Sequence, residues 1–290
     1  ENRVYQLEIE DESRIVGKFY RPGRWTKAAI LDEHLFTQEL HDVEIPVALP
    51  LTIDEGSTLG ETDGIYYALY TSVGGRSPQE LSDPQIETLG RLLARIHNVG
   101  AQHDAPNRVR LTPDTYGHEN LNFLLEHDLI ATESRDNYAQ TVNYLIELIS
   151  PLFKGINTLR LHGDCHLGNL IWTPSGPTFL DFDDMVVGPA IQDIWMLLPS
   201  YDQEGQRQRQ IFLEAYRSFR PIEHREIHLI EPLRALRFIH YSAWIGRRWS
   251  DPLFKKTFSH FGDLLYWQKE VQDLREQIGR IQQTLDSTYM

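Results

Sequence analysis

The chain has 290 residues, of which 41% are hydrophobic and 24% charged, the balance of an ordinary globular protein with room for one large domain or two lobes. Its formal net charge of −14 repels nucleic acid and anionic lipid, argues against either as a main partner, and suits a cationic substrate or plain solubility. There is no apolar run of about 18 residues to cross a membrane, the polar start from Glu1 to Asp11 is not a secretory leader, and the single Cys165 permits no intrachain disulfide and fits a reducing cytoplasm.

In chain order, Arg3 to Ile9 alternates with Val4, Leu7 and Ile9 as apolar markers, and Arg14 to Tyr20 carries Ile15, Val16 and Phe19. Both read as strands, joined by a turn at Asp11-Glu12-Ser13. Pro22-Gly23 stops the second. Thr26 is an N-cap for a helix from Lys27 to Leu40. Strands are expected at Val47 to Ile53 and Ile65 to Tyr70, followed by a Gly-rich stretch from Ser72 to Arg76. Asp83-Pro84 starts a helix through Ile96. Further helices are expected at Asn120 to Glu126, Ser134 to Ile149, Ile191 to Leu198, Gln206 to Phe219, Glu223 to Trp249 and Phe261 to Leu285. Leu159 to Phe182, broken by Gly and Pro, reads as small strands and tight loops. Strands first and helices after predict an α+β fold with two lobes. The expected division is 1–71, a connecting 72–77, and 78–290.

The sharpest pattern is Leu161-His162-Gly163-Asp164-Cys165-His166-Leu167-Gly168-Asn169, then a strand, a turn at Pro174 to Pro177, and Phe179-Leu180-Asp181-Phe182-Asp183-Asp184. Phosphoryl transfer calls for these types at this spacing. The transition state carries charge on phosphoryl oxygens, and a protein answers with a divalent cation and positioning. Mg²⁺ wants oxygen ligands, which one carboxylate and one side-chain amide supply. A separate carboxylate orients the attacking hydroxyl. Asp164 and Asn169 come from one loop, and the returning hairpin brings Asp181 to face them. A polar loop capping a core helix would not need the second acid after the hairpin. Upstream, Lys18 near a strand end fits a lysine that holds the nucleotide phosphates, and Glu33 on the next helix fits its partner acid, with Asp32 and Glu39 as alternatives.

These residues resemble the choline kinase and aminoglycoside phosphotransferase superfamily, which has a protein-kinase-like fold with a small antiparallel-sheet lobe and a larger helical lobe. Lys18 to Trp25, Leu159 to Leu198 and Ile230 to Arg237 are most similar to a bacterial serine/threonine protein kinase branch of it. The resemblance implies Asp164 as catalytic base, Asn169 and Asp181 as Mg²⁺ ligands, Lys18 as the phosphate-binding lysine, and Asp193 as a brace for the catalytic loop. It implies a hinge at Tyr70, Ser72 and Val73 that meets the adenine of ATP. The resemblance implies a further strand and a nucleotide-covering loop; the first strand and most of that loop are expected to be missing ahead of Arg3, and a protein lacking them is expected to bind ATP poorly.

The expected acceptor is a serine or threonine hydroxyl of a protein. A small cationic molecule is the alternative acceptor, and a partner-binding pseudokinase is the alternative from another class. The expected protein acts as a monomer. His166 either orders its loop or approaches the γ-phosphate. Cys165 reads as a packing residue, and His97 as a core or cap histidine. Asp183 assists at the metal, while Asp184 caps or pairs. Arg234 and Arg237 share a helix face, and Tyr241, Trp244 and Trp249 read as packing aromatics.

Overall fold

The computed structural model describes residues 2–9, 14–54 and 56–288. The chain divides into two compact units, Glu1–Val109 with Thr158–Ile222 and Arg110–Asn157 with Glu223–Met290. The turn expected at Asp11-Glu12-Ser13 lies outside the described residues.

The first unit opens with an antiparallel sheet of β1 (Arg3–Glu8), β2 (Arg14–Phe19), β3 (Gly60–Thr62) and β4 (Ile65–Thr71), in the order β1-β2-β4-β3. Val4 faces Lys18 and Gln6 faces Val16 across one ladder. Val16 faces Tyr70 and Lys18 faces Ala68 across the next. Because side chains alternate along a strand, these registers place Val4, Gln6, Val16, Lys18, Ala68 and Tyr70 on one face. Between β2 and β3 runs α1 (Lys27–Asp42), capped by the Thr26 hydroxyl, which accepts from Ala29 N at 3.1 Å. Ile30 of α1 joins Tyr20, Leu59, Ala68 and Tyr70 in a buried cluster.

The strand expected at Val47 to Ile53 is not one. Only isolated bridges form there, Val47 to Phe179 and Pro50 to Tyr70, because Pro46 and Pro50 have no N–H to give a ladder. Conversely, β3 was unexpected. Its signal is Asp63-Gly64, whose φ values of 50 and 76 suit a two-residue hairpin turn.

The first unit continues with α2 (Asp83–Gly100), which starts at Asp83-Pro84 as expected. Strand β5 (Leu159–Leu161) and hairpin strands β6 (Leu170–Thr173) and β7 (Gly176–Phe179) follow, then β8 (Val186–Gly188), which pairs with β5. Helices α5 (Ile191–Leu197) and α6 (Gln203–Arg217) complete it, and α6 packs along α2. The short strands act as rails. They hold the 162–169 loop and the 180–184 segment at adjacent strand ends.

The second unit is helical: a π-turn at Asp114–His118, α3 (Glu119–Glu126), α4 (Thr132–Ile149), α7 (His224–Ile227), α8 (Ile230–Gly246), α9 (Pro252–Thr257) and α10 (Leu264–Thr288). The single helix expected over 223–249 is broken between α7 and α8. Pro232 lacks an N–H and crowds the carbonyl four residues back, so it fits only in a first turn. The π-turn was also unexpected. Buried Asn120 fills it, its Nδ2 donating to the carbonyls of Thr115 (3.3 Å) and Tyr116 (2.8 Å). Tyr241 stacks directly on Trp244 with centroids 5.5 Å apart, and Trp249 packs edge-on against Phe261. Arg248 is buried over the Trp244 ring. These are packing aromatics, and Arg247 donates to Asn120 Oδ1 at 2.8 Å.

Candidate active site

The loop from His162 to Asn169 is held from below by one acid. Asp193, on α5, is fully buried. Its Oδ2 accepts from His162 N and its Oδ1 from Gly163 N, both at 2.9 Å. His97 Nε2 lies 3.1 Å from the same Oδ2, and its other ring nitrogen lies 2.8 Å from the Tyr216 hydroxyl. A buried carboxylate with three donors is fully satisfied, and it fixes two consecutive peptide units. His97 is therefore the core histidine expected. At Gly163, φ is +83 and a Cβ would stand 2.0 Å from the Asp184 carbonyl oxygen. Only glycine fits there.

Backbone and side-chain bonds then stitch this loop to the strand that carries Asp181. Asn169 Nδ2 donates to Asp164 O at 3.0 Å, and Leu180 N donates to Asn169 O at 2.9 Å. His162 Nε2 lies 2.8 Å from Leu180 O. A carbonyl only accepts, so His162 carries its proton on Nε2. The residue two before Asp164 is thus bonded to the residue just before Asp181.

Asp181 adopts a left-handed conformation, φ 58 and ψ 66, which aspartate tolerates better than most residues. Its carboxylate stays half exposed, and Lys18 Nζ lies 2.7 Å from Oδ1. Lys18 also lies 3.3 Å from Asp183 Oδ1. Burial alone would lower the Lys18 pKa, but Glu33, Asp183 and Asp181 outweigh it and hold the ammonium well above its ordinary value. Arg24 binds both following acids, with one guanidinium nitrogen 2.7 Å from Asp183 Oδ2 and another on Asp184 Oδ1. Buried Arg108 donates to the carbonyls of Phe182 (3.2 Å) and Asp183 (2.9 Å). Burial would raise the Asp183 pKa, yet Lys18, Arg24 and Arg108 hold it below its usual range.

Glu33 is buried beside this group. Tyr70 OH donates to its Oε1 at 3.3 Å, and Arg108 lies 3.6 Å from its Oε2. Burial raises its pKa to about 7 against the pull of Lys18 and Arg108. Its charge acts on Lys18, but the lysine's ion pairs are with Asp181 and Asp183. The alternative acids have other employment: Asp32 accepts from Asn107, and Glu39 pairs with Arg160 and His103. Tyr70 turns its hydroxyl toward Tyr20 (2.8 Å) and His34 (3.3 Å).

A cavity of about 380 Å³ joins these residues. Val4, Val16, Lys18, Glu33, Tyr70, Ser72, Val73, Asn169, Ile171, Leu180 and Asp181 are among those lining it. Its lining combines apolar residues of the sheet and the hairpin with Lys18, Asn169 and Asp181. The sequence-predicted residues Lys18, Glu33, Tyr70, Ser72, Val73, Asn169 and Asp181 thus share one cavity wall, with Asp164 on the same loop as Asn169. Sequence reasoning missed Arg24 and Arg108. A signal for Arg24 existed in its proximity to Lys18, but Arg108 follows a helix by a loop and carried none. Asp183, expected to assist a metal, is buried and paired to two cations instead.

As a cation site, Asp181 offers a half-exposed carboxylate. The Asn169 amide, having donated its N–H, presents Oδ1. Among the described residues, no three His, Cys, Asp or Glu side chains form a metal cluster. Two oxygen donors fit Mg²⁺, which keeps waters and takes its remaining ligands from phosphates.

Residues 1–230 match the family described as phosphotransferase enzyme family. Stress response kinase A of Escherichia coli O157:H7 is 40% identical over 284 residues, covering 98% of this chain and 86% of that protein. The serine/threonine protein kinase RdoA of Salmonella typhimurium strain LT2 is 41% identical over 278 residues, covering 96% and 84%. Among solved structures, the amicoumacin kinase hAmiN in complex with AMP-PNP, Ca²⁺ and Ami aligns with a TM-score of 0.76 at 22% identity, covering 94% of this chain and 86% of that one.

Proposed function

We propose that this chain, which belongs to the phosphotransferase enzyme family, is a kinase that moves the γ-phosphate of ATP to serine or threonine hydroxyls of proteins. The observation that carries the reading is the stitched pair of loops: Asp164 and Asn169 on one, Asp181 on the other, with Lys18 ion-paired to Asp181 on the cavity wall. In this reading residues 1–71 bear the nucleotide, and 72–77 are the hinge, where Ser72 and Val73 meet the adenine beside Tyr70. Lys18, with Glu33 behind it, holds the phosphates. Asp181 and Asn169 would hold Mg²⁺, which would supply charge neutralisation for the phosphate oxygens.

Asp164 orients the acceptor hydroxyl in line with the γ-phosphorus. The acceptor oxygen forms the new O–P bond, and the bond from the γ-phosphorus to the β–γ bridging oxygen breaks. ADP leaves with that electron pair, and the hydroxyl proton passes to the Asp164 carboxylate. A protein acceptor is favoured by the relative named a serine/threonine protein kinase, similar over nearly the whole chain. A small cationic acceptor is the second reading, favoured by the net charge of −14 and the amicoumacin kinase fold.

The test is transfer from γ-labelled ATP with Mg²⁺ to dephosphorylated casein, and to a panel of aminoglycosides and amino alcohols. Label on casein serines or threonines is the expected result. Label on small cations alone selects the second reading, and no transfer to any acceptor overturns both.

A further inference from the structure

His166 belongs to the same loop as Asp164 and Asn169, and the reaction above assigns it no role. Its Nδ1 accepts from Gly168 N at 2.9 Å, capping the short turn Leu167–Asn169. A ring nitrogen that accepts a backbone N–H carries no proton of its own. The neutral imidazole therefore has its hydrogen on Nε2, which stands 3.3 Å from Asp164 Oδ2. The rest of the loop reinforces this aim. His166 N donates to Asp164 O, Asn169 N donates to His166 O, and Asn169 Nδ2 donates to Asp164 O. Gly168 leaves room for the ring: a Cβ there would stand 2.7 Å from the ring's Cε1 and 2.8 Å from Nδ1. The ring is folded back over a missing side chain, with Nε2 beside the base.

We propose that His166 is a positioning residue, whose Nε2–H fixes the Asp164 carboxylate for the acceptor hydroxyl. The proposal rests on the kinase reading of this site. It does not make His166 a ligand of nucleotide or metal. Its effect falls on the transfer step, because a base turned away from the hydroxyl slows transfer without weakening ATP.

Side-chain chemistry separates the cap from the aim. Asparagine places an acceptor where Nδ1 sits and nothing where Nε2 sits, so His166→Asn keeps the cap and loses the donor. Glutamine reaches the Nε2 position, so His166→Gln keeps a donor toward Asp164 and loses the cap. Gly168→Ala displaces the ring without altering it.

The measurements are kcat and the KM for ATP of the full chain, on the acceptor labelled in the assay above, with the thermal midpoint as a fold control. Expected for His166→Asn is a fall in kcat of about tenfold or more, a KM for ATP within about twofold, and an unchanged midpoint. His166→Gln should restore part of that loss. Gly168→Ala should resemble His166→Asn, and the double variant should be no worse than either single one, since both remove the same interaction. Wild-type kcat in His166→Asn overturns the proposal, as does a loss that appears only in the KM for ATP. Asp164→Ala serves as the reference. If that variant is as active as the wild type, the kinase reading itself has failed; if it is inactive while His166→Asn is not, only the role of His166 has.

Discussion

The two sides of the candidate site treat their acids in opposite ways. On the side of the 162–169 loop, Asp193 is wholly buried between two backbone N–H groups and the His97 ring, so its carboxylate is spent on holding His162 and Gly163. On the cavity side, Asp181 is half exposed, sits in a left-handed turn and is answered by Lys18. Around it, Lys18, Arg24 and Arg108 meet Glu33, Asp183 and Asp184 in a group of close charges. The lesson is that burial and saturation make an acid structural. An acid left open to solvent is available to a cation.

That contrast breaks first at Asp181. Asp181→Asn should reduce phosphate transfer by about 10³-fold or more while the thermal midpoint moves little, because Lys18 keeps Asp183 as a partner. Asp164→Ala should do the same. Activity assays beside melting curves would check both, and near-normal turnover in either would remove the assigned roles.

Asp193→Ala should behave in the opposite manner. It strips the acceptor from two buried N–H groups and His97, and should lower unfolding stability by about 3–4 kcal/mol in urea titrations. If Asp181→Asn and Asp193→Ala proved equally destabilising, the distinction between the two acids would fall.

Glu33 sharpens the comparison through pH. Its folded pKa of about 7 exceeds its ordinary 4.5, so the folded protein holds this proton more tightly than the unfolded chain. Glu33 therefore contributes stability that is fully present below about pH 4.5, declines as pH rises, and is gone above about pH 7. Glu33→Gln should remove this slope. The wild-type-minus-variant difference should change by on the order of 2–3 kcal/mol between those limits, measured by urea unfolding at a series of pH values. A flat difference would show that Glu33 ionises normally.

The smallest effect concerns Cys165. The thiol is fully buried beside the proposed base, and burial pushes its pKa well above the ordinary range, with Asp193 and Asp164 adding to it. Alkylation by iodoacetamide should be on the order of 100-fold slower in the native protein than after unfolding. Fast native labelling would mean that the loop opens.

Much of the site was legible before any coordinates. His162 through Asn169 and the return to Asp181 are close in sequence, so one hairpin suffices to unite them, and local pattern carries that information. The helices at Lys27 and Asp83 announced themselves through Thr26 and the Asp-Pro pair. The misses lie where a local signal was overruled or ignored. Pro46 and Pro50 spoiled an apolar run as a strand, Pro232 divided a long helical pattern, and Asp63-Gly64 marked a hairpin that was passed over.

What the sequence determined by itself is the chemistry on offer: which acids, amide and lysine lie at phosphotransferase spacing, and which turn and cap residues start and stop the elements around them. Only the tertiary structure decided how those groups are paired. That Lys18 meets Asp181 and Asp183, with Glu33 acting on it from behind, and that Arg24 and Arg108 close on the 182–184 segment, depends on strand register and on loops distant in sequence. Periodicity reports which face a residue occupies, but a charge is assigned its partner by distance and burial, and those exist only once the chain is packed.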